Sequence, residues 1–306
     1  MAADHNEPMK QELPTQGVAR LTDWGVIRAR GVDAQTFLQG QLTQDLASLP
    51  PGQARLAGYC SAKGRLLASF VAWRGVGDEW LLACSADLLA ATLKRLSMFV
   101  LRAKVVLDDA SAELPLHGLV GRAVPEIAVW SCQVEPTRTS IRLPDAMGLA
   151  RALCAGEPPT GVPELPHAQW SGLEARSGVA RIAAATSELF VPQMVNFDAV
   201  GGLSFSKGCY PGQEVVARSH YRGTVKRRGF VVEASAPMAP GQAIFDPAAP
   251  SEPAGQIVLA GDLGAGHAGF AELKIAAAGL PLTLGSAEGP ALTVVELPYP
   301  LPAEPA

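Results

Sequence analysis

From Arg227 onward the chain breaks into six short apolar runs separated by glycine and proline turns, and this texture constrains the fold more than any other feature. The runs are Gly229 to Glu233, Ala243 to Phe245, Gly255 to Ala260, Ala268 to Ile275, Leu282 to Leu284 and Leu292 to Leu297. Short strands with turn signals between them predict a small all-β barrel or sandwich. A domain boundary is expected near Arg222, and the Pro/Ala-rich stretch after Pro298 reads as a disordered tail.

Upstream the pattern differs. Ala19 to Leu21 and Trp24 to Arg30 read as strands around a turn at Asp23 to Gly25. Asp33 is a good N-cap for a helix carrying Phe37, Leu38 and Leu42. Arg55 to Cys60 and Leu66 to Arg74 predict a hairpin across Ser61-Ala62-Lys63-Gly64, with Trp80 to Cys84 as a third strand. Ser85 opens a helix through Leu96, and Ala103 to Leu107 reads as a strand. Leu116 to Val120 predicts a strand, Ala123 to Trp130 a helix, Glu157 to Pro163 a loop, and Trp170 to Gly178 a helix. Strand pairs alternating with helices indicate an α+β chain with helices packed on antiparallel sheets.

At 306 residues the chain has material for two or three domains. Its 48% hydrophobic and 18% charged content is globular, and a net charge of −4 argues against coating nucleic acid by bulk charge. Residues 1–17 read as a polar, disordered tail without an apolar leader. No stretch reaches the ~18 apolar residues of a membrane span, so a cytoplasmic protein without membrane partners is expected. The five cysteines, Cys60, Cys84, Cys132, Cys154 and Cys209, are odd in number and widely spaced. They form neither a disulfide framework nor a metal or cluster motif. Four of them lie in apolar surroundings and read as buried small hydrophobes.

The fifth is different. In Gly201-Gly202-Leu203-Ser204-Phe205-Ser206-Lys207-Gly208-Cys209-Tyr210-Pro211-Gly212-Gln213-Glu214, four glycines and a proline surround one cysteine. Pro211 suits the first turn of a helix continuing through Gln213 to Arg218. Cys209 then precedes a helix N-terminus with Lys207 two residues away, and both features lower a thiol pKa from ~8.5 into the range ~3.5–7.5. A turn cysteine buried for packing is the alternative. His220 lies three turns along that helix, so a Cys/His acyl-transfer pair is not indicated. Gln193, Asn196 and Asp198 sit among apolar residues and are suited to orienting a flat heterocycle or to satisfying loop backbone. Trp24 and Trp170 offer flat surfaces for stacking, or core packing. Arg218, Arg222, Lys226, Arg227 and Arg228 form a basic run that either meets a polyanion or lines a solvated strand entry.

Lys207-Gly208-Cys209-Tyr210-Pro211-Gly212-Gln213-Glu214 resembles the K-G-C-[YF]-x-G-Q-E signature of the YgfZ family. The likeness extends through Gly178-Val179, Phe190-Val191-Pro192-Gln193, Asn196, Gly201-Gly202, Val216-Ala217-Arg218 and Tyr221-Arg222-Gly223. It continues in Gln39 to Asp45, Ala62-Lys63-Gly64-Arg65 and Glu296-Leu297-Pro298-Tyr299. That family is similar in fold to the glycine-cleavage T-protein, a tetrahydrofolate-dependent aminomethyltransferase. The resemblance implies three domains round a central cavity: 18–50 with 116–205 as a folate-binding domain, 51–115 with 206–222 as an interleaved α+β domain, and 223–306 as a C-terminal β-barrel. It implies tetrahydrofolate in the cavity and an essential cysteine at Cys209, with Lys207 beside it. The folate-contacting tryptophans map onto Trp24 and Trp170. Gln193, Asn196, Tyr210, Gln213, Glu214 and Arg218 are the further candidates to hold the ligand. The T-protein run R-x-E-x-G falls in the region of Arg181 to Glu188, where Glu188 stands in a different register.

The expected function is therefore a folate-binding accessory protein for iron–sulfur proteins. The clients implied include a radical enzyme that methylthiolates tRNA, a tRNA methylthiotransferase. No turnover and no direct nucleic-acid binding are expected. The rival readings are a folate-dependent one-carbon transferase and an RNA- or protein-binding scaffold built on the basic run.

Overall fold

The computed structural model describes residues 14–221 and 225–302. Its architecture is α+β, with two five-stranded antiparallel sheets, a closed six-stranded barrel and few helices. The first sheet runs in the order Gln16–Arg20, Leu116–Gly121, Leu149–Gly156, Arg138–Ala146, Cys132–Glu135. The second runs Ala54–Cys60, Leu66–Arg74, Trp80–Ser85, Trp24–Arg30, Val106–Asp109. The barrel closes Arg227–Ala234, His267–Lys274, Gly255–Asp262, Ala243–Phe245, Leu282–Leu284 and Ala291–Val295 back onto its first strand. Among the described residues four α-helices accompany them: α1 (Ala34–Gln39), α2 (Ala86–Ser97), α3 (His167–Arg176) and α4 (Gln213–Tyr221).

Alternation along the strands sets the layers. On the second sheet Val71, Trp73, Leu81 and Ala83 point toward Leu116, Val120, Ile141, Leu143 and Leu153 of the first, and join them in one buried core. The intervening residues Phe70, Ala72, Trp80, Leu82 and Cys84 turn the other way and pack with Phe37, Leu38 and Leu96. Both faces of the second sheet are thus covered, which is why its strands read as near-continuous apolar runs. Helix α3 packs on the barrel strands Gly255–Asp262 and His267–Lys274, and its Trp170 joins the core between the sheets. Gly118 lies directly under the Trp170 ring, where any Cβ would overlap it.

Several expectations are corrected. Residues 123–130 form turns, not a helix, because Pro125 disfavours helical backbone at Val124, and Trp130 takes a left-handed φ of 67°. Strands Cys132–Glu135, Arg138–Ala146 and Leu149–Gly156 follow instead; the last two join across Met147-Gly148, whose φ values of 53° and 74° suit a hairpin turn. Gln16–Arg20 pairs with Leu116–Gly121 in the first sheet, whereas Trp24–Arg30 belongs to the second sheet with strands between residues 54 and 109. Asp33 makes no side-chain cap; its carboxylate accepts the Lys104 N–H at 2.7 Å. Strand structure begins at Gln16, while most of the expected N-terminal tail, residues 1–13, lies outside the described residues. Tyr299, within the expected C-terminal tail, is anchored: its hydroxyl donates to the Gly178 carbonyl at 2.5 Å and accepts from Asn196 Nδ2 at 3.2 Å.

Candidate functional site

The cysteine loop is fixed by two docks. The first is Lys207, whose buried ammonium donates to the carbonyls of Gln39 (2.5 Å), Leu42 (2.6 Å) and Gln44 (3.2 Å) and lies 5.3 Å over the Tyr210 ring. Burial pulls its pKa down to about 8, so it is an ammonium at neutral pH. The same 39–45 segment grips the loop upstream: Thr43 Oγ1 donates to the Gly202 carbonyl at 2.6 Å and Gln44 Nε2 to the Gly201 carbonyl at 2.5 Å. The second dock is the hairpin turn at residues 61–64. Gly212, at φ 78°, lies so close to it that a Cβ would sit 2.6 Å from the Gly64 Cα.

Between these docks Cys209 is exposed, whereas Cys60, Cys84 and Cys154 are buried and Cys132 is half-buried; all five lie among the described residues. Burial pushes Cys60, Cys84 and Cys132 up to about 12 and raises Cys154. Those four thiols are protonated at neutral pH, and three of them are shielded from solvent. The three donors of Lys207 are taken by carbonyls, so it clamps the loop. Helix α4 begins at Gln213, with Pro211 in the preceding turn, and Cys209 stands four positions before the helix. Glu214 and Arg218 are exposed on α4, and Tyr210 is buried with its hydroxyl pKa raised, chiefly by desolvation.

A separate cavity opens between the two sheets and α3. It is a narrow slot with a volume of about 30 Å³. Trp24, Trp130 and Trp170 line it, together with Arg151, Glu174 and Arg181. Trp170 is fully buried and Trp24 half-buried, and the indole N–H of each is buried without a hydrogen-bond partner. Arg181 organises the polar wall. Its Nε and NH2 donate to the two Glu174 oxygens at 2.8 and 3.0 Å, NH2 also donates to Asp23 at 2.7 Å, and NH1 donates to Ser85 Oγ at 2.8 Å. Its guanidinium lies 4.7 Å over the Trp24 ring. Asp23 also bonds His167 Nε2 at 2.6 Å. Burial opposes ionisation of Asp23, but the His167 hydrogen bond and the Arg181 charge win and hold it at about 2. His167 is raised in turn, first by its bond to Asp23.

The residues expected around one ligand thus occupy three places. Trp24 and Trp170 line the cavity; Lys207, Cys209, Tyr210, Gln213, Glu214 and Arg218 do not. Gln193 and Asn196 serve the junction between α4 and the barrel. Gln193 Nε2 donates to the Val216 carbonyl at 2.8 Å. Asn196 is paired with the Gly229 backbone on both sides of its amide. The carboxylate in the cavity is Glu174, on α3, and not Glu188, which is exposed at φ 64°. In the basic run, Arg227 pairs with Glu272 and Arg228 with Asp198, while Arg222 lies outside the described residues. Sequence reading missed Arg151, Glu174, Arg181 and Trp130. Arg151 left a trace, as one arginine inside the apolar run Leu149 to Ala155, and Arg181 stands at the start of the segment that resembles the T-protein run.

The fold is that of the T-protein class. The chain superposes on the glycine cleavage system aminomethyltransferase T of Bartonella henselae with a TM-score of 0.70, at 16% identity, covering 94% of this chain and 87% of that one. No family model matches the chain. It is 34% identical over 251 residues to the tRNA-modifying protein YgfZ of Edwardsiella ictaluri (strain 93-146), with 76% of each chain covered. The chain belongs to the YgfZ family. Among the described residues no helix is long and apolar enough to cross a membrane.

Proposed function

We propose that the chain is a tetrahydrofolate-binding accessory protein for the assembly or repair of iron–sulfur proteins, tRNA-modifying radical enzymes among them, and that it acts through Cys209. The observation that carries this reading is the contrast among its cysteines: one is exposed on a doubly docked loop, three are buried and one is half-buried. The thiolate of a cysteine so placed can attack a client disulfide, forming one S–S bond as the client's own breaks and releases a client thiolate, or can ligate a metal in passing.

The chemistry of the cavity residues suits a pterin, for which the slot of about 30 Å³ must widen. A flat heterocycle with donors and acceptors on its edge would meet two unpartnered indole N–H groups, the Glu174 carboxylate and the walls of Trp24, Trp130 and Trp170. Bound tetrahydrofolate supplies nitrogens that carry one-carbon units. Arg181 would hold Glu174 and Trp24 in place, and the three tryptophans would exclude water. The transferase alternative draws support from the T-protein fold alone. The scaffold alternative loses support, because Arg227 and Arg228 are engaged by carboxylates.

The test is complementation. Cys209→Ser is expected to fold normally and to quench its tryptophan fluorescence with tetrahydrofolate as the parent does, yet to leave a client methylthiotransferase inactive in cells. Full client activity with Cys209→Ser removes the proposed mechanism. Loss of quenching is expected instead from Trp24→Ala and Trp170→Ala.

A further inference from the structure

Arg151 is the least satisfied charged group in the cavity wall. It sits in the middle of Leu149–Gly156, opposite Val120 on one side and Leu143 on the other, and shares a face with Leu153 and Ala155. Its exposure is 2%, and its guanidinium lies 5.2 Å over the ring of Trp170. Nε donates to the Pro144 carbonyl at 3.1 Å, while NH1 is buried with no partner. The nearby carboxylates are committed elsewhere: Glu174 to Arg181, and Asp145 to Arg142. A buried guanidinium without a carboxylate is costly, and replacing such a group by an apolar side chain of similar volume is often neutral or stabilising. Packing therefore does not account for a charge at this position. The side chain lines the cavity between the sheets, and stacking on Trp170 fixes the plane of its donor fork.

We propose that Arg151 reads an acceptor on the ligand's flat ring, donating its free N–H to a carbonyl oxygen or ring nitrogen of a heterocycle held among Trp24, Trp130 and Trp170. Glu174 and Arg151 are then complementary, the carboxylate taking the ring's N–H groups and the guanidinium its acceptor edge. This deepens the folate reading and rests on it. Because Arg151 lies within the tryptophan-lined slot, it meets the heterocycle and not the glutamate tail.

The experiment uses the full-length protein with two probes under anaerobic conditions: tetrahydrofolate, and 6-methyltetrahydropterin, which lacks the glutamate. Affinity is read by tryptophan quenching and calorimetry, and thermal midpoint by scanning calorimetry, for the parent, Arg151→Met and Arg151→Lys. The expected result for Arg151→Met is a thermal midpoint equal to or above the parent's, with affinity for both probes reduced by about 10–100-fold, the range for a hydrogen bond to a charged group. Arg151→Lys keeps the charge without the planar fork and is expected to lose less. Should Arg151→Met fold poorly, a loss of affinity for both probes in a fully folded Arg151→Lys carries the same conclusion. Unchanged affinity in both variants, with the parent binding, overturns the role of Arg151 and leaves the folate reading standing. Loss for tetrahydrofolate alone overturns the assignment to the ring. If the parent binds neither probe, the folate reading fails and this inference falls with it.

Discussion

Gly212 rests backbone to backbone on Gly64, so that a methyl group at residue 212 would stand 2.6 Å from the Gly64 Cα. Residue 64 belongs to the hairpin turn of the second sheet, and residue 212 to the loop that presents Cys209. Both take positive φ, 69° and 78°, so only glycine meets the conformational and the steric demand together.

Gly212→Ala is accordingly expected to destabilise the fold by about 1–3 kcal/mol in denaturant unfolding, through strain at positive φ and the lost contact. The alkylation rate of Cys209 should change in the same variant, because the loop must lift off its dock. An unchanged midpoint and rate would show that the two turns are not coupled.

Removing Lys207 tests the other dock. Lys207→Met leaves the carbonyls of Gln39, Leu42 and Gln44 without their donor. A loss of about 2–4 kcal/mol in unfolding free energy is expected, given the strength of hydrogen bonds to charged groups and the cost of stranded acceptors. If Lys207 instead acted on the thiol alone, Lys207→Met would keep the parent's stability and change only the pH dependence of alkylation.

The Asp23–His167 pair gives a pH signature. His167 is raised above its unfolded value near ~6.5, so its contribution is full below that pH and is lost as pH rises through the raised folded value. Asp23 is lowered to about 2, so its contribution is present above the unfolded value of 3.8 and is lost as pH falls below it. His167→Gln should therefore cost more stability near pH ~5.5 than near pH ~8.5. Thermal midpoints of parent and variant across that range provide the measurement, and a cost independent of pH would remove the pair from the stability of the cavity wall.

How much of this is legible in the sequence depends on the range of the interaction. The barrel strands and the hairpin from Ala54 to Arg74 show as short apolar runs between turn residues, a pattern contained within a few positions. The strands between Cys132 and Gly156 are hidden by a turn that places Met147, not an asparagine or glycine, in the left-handed region. The partners of Lys207 lie 163 to 168 positions away, and no local pattern records them. Proximity along the chain pairs Lys207 with Cys209, and the fold gives it to three carbonyls. The cavity is similar: Arg151, Trp170 and Trp24 come from a strand in each sheet and a helix between them. Local pattern singles out Cys209 by its glycines and following helix, and resemblance to a known family gives it and the two tryptophans their expected roles. The separation of that cysteine from the cavity, and the isolation of Arg151, emerged only in three dimensions.

The most direct test is to alkylate the native protein with iodoacetamide and follow both the site and the consequence. Peptide mapping should find Cys209 carboxamidomethylated and the other four cysteines unmodified until denaturant is added. The alkylated protein should bind tetrahydrofolate as before and fail to restore a purified iron–sulfur client. Restoration of the client by fully alkylated protein would contradict the account.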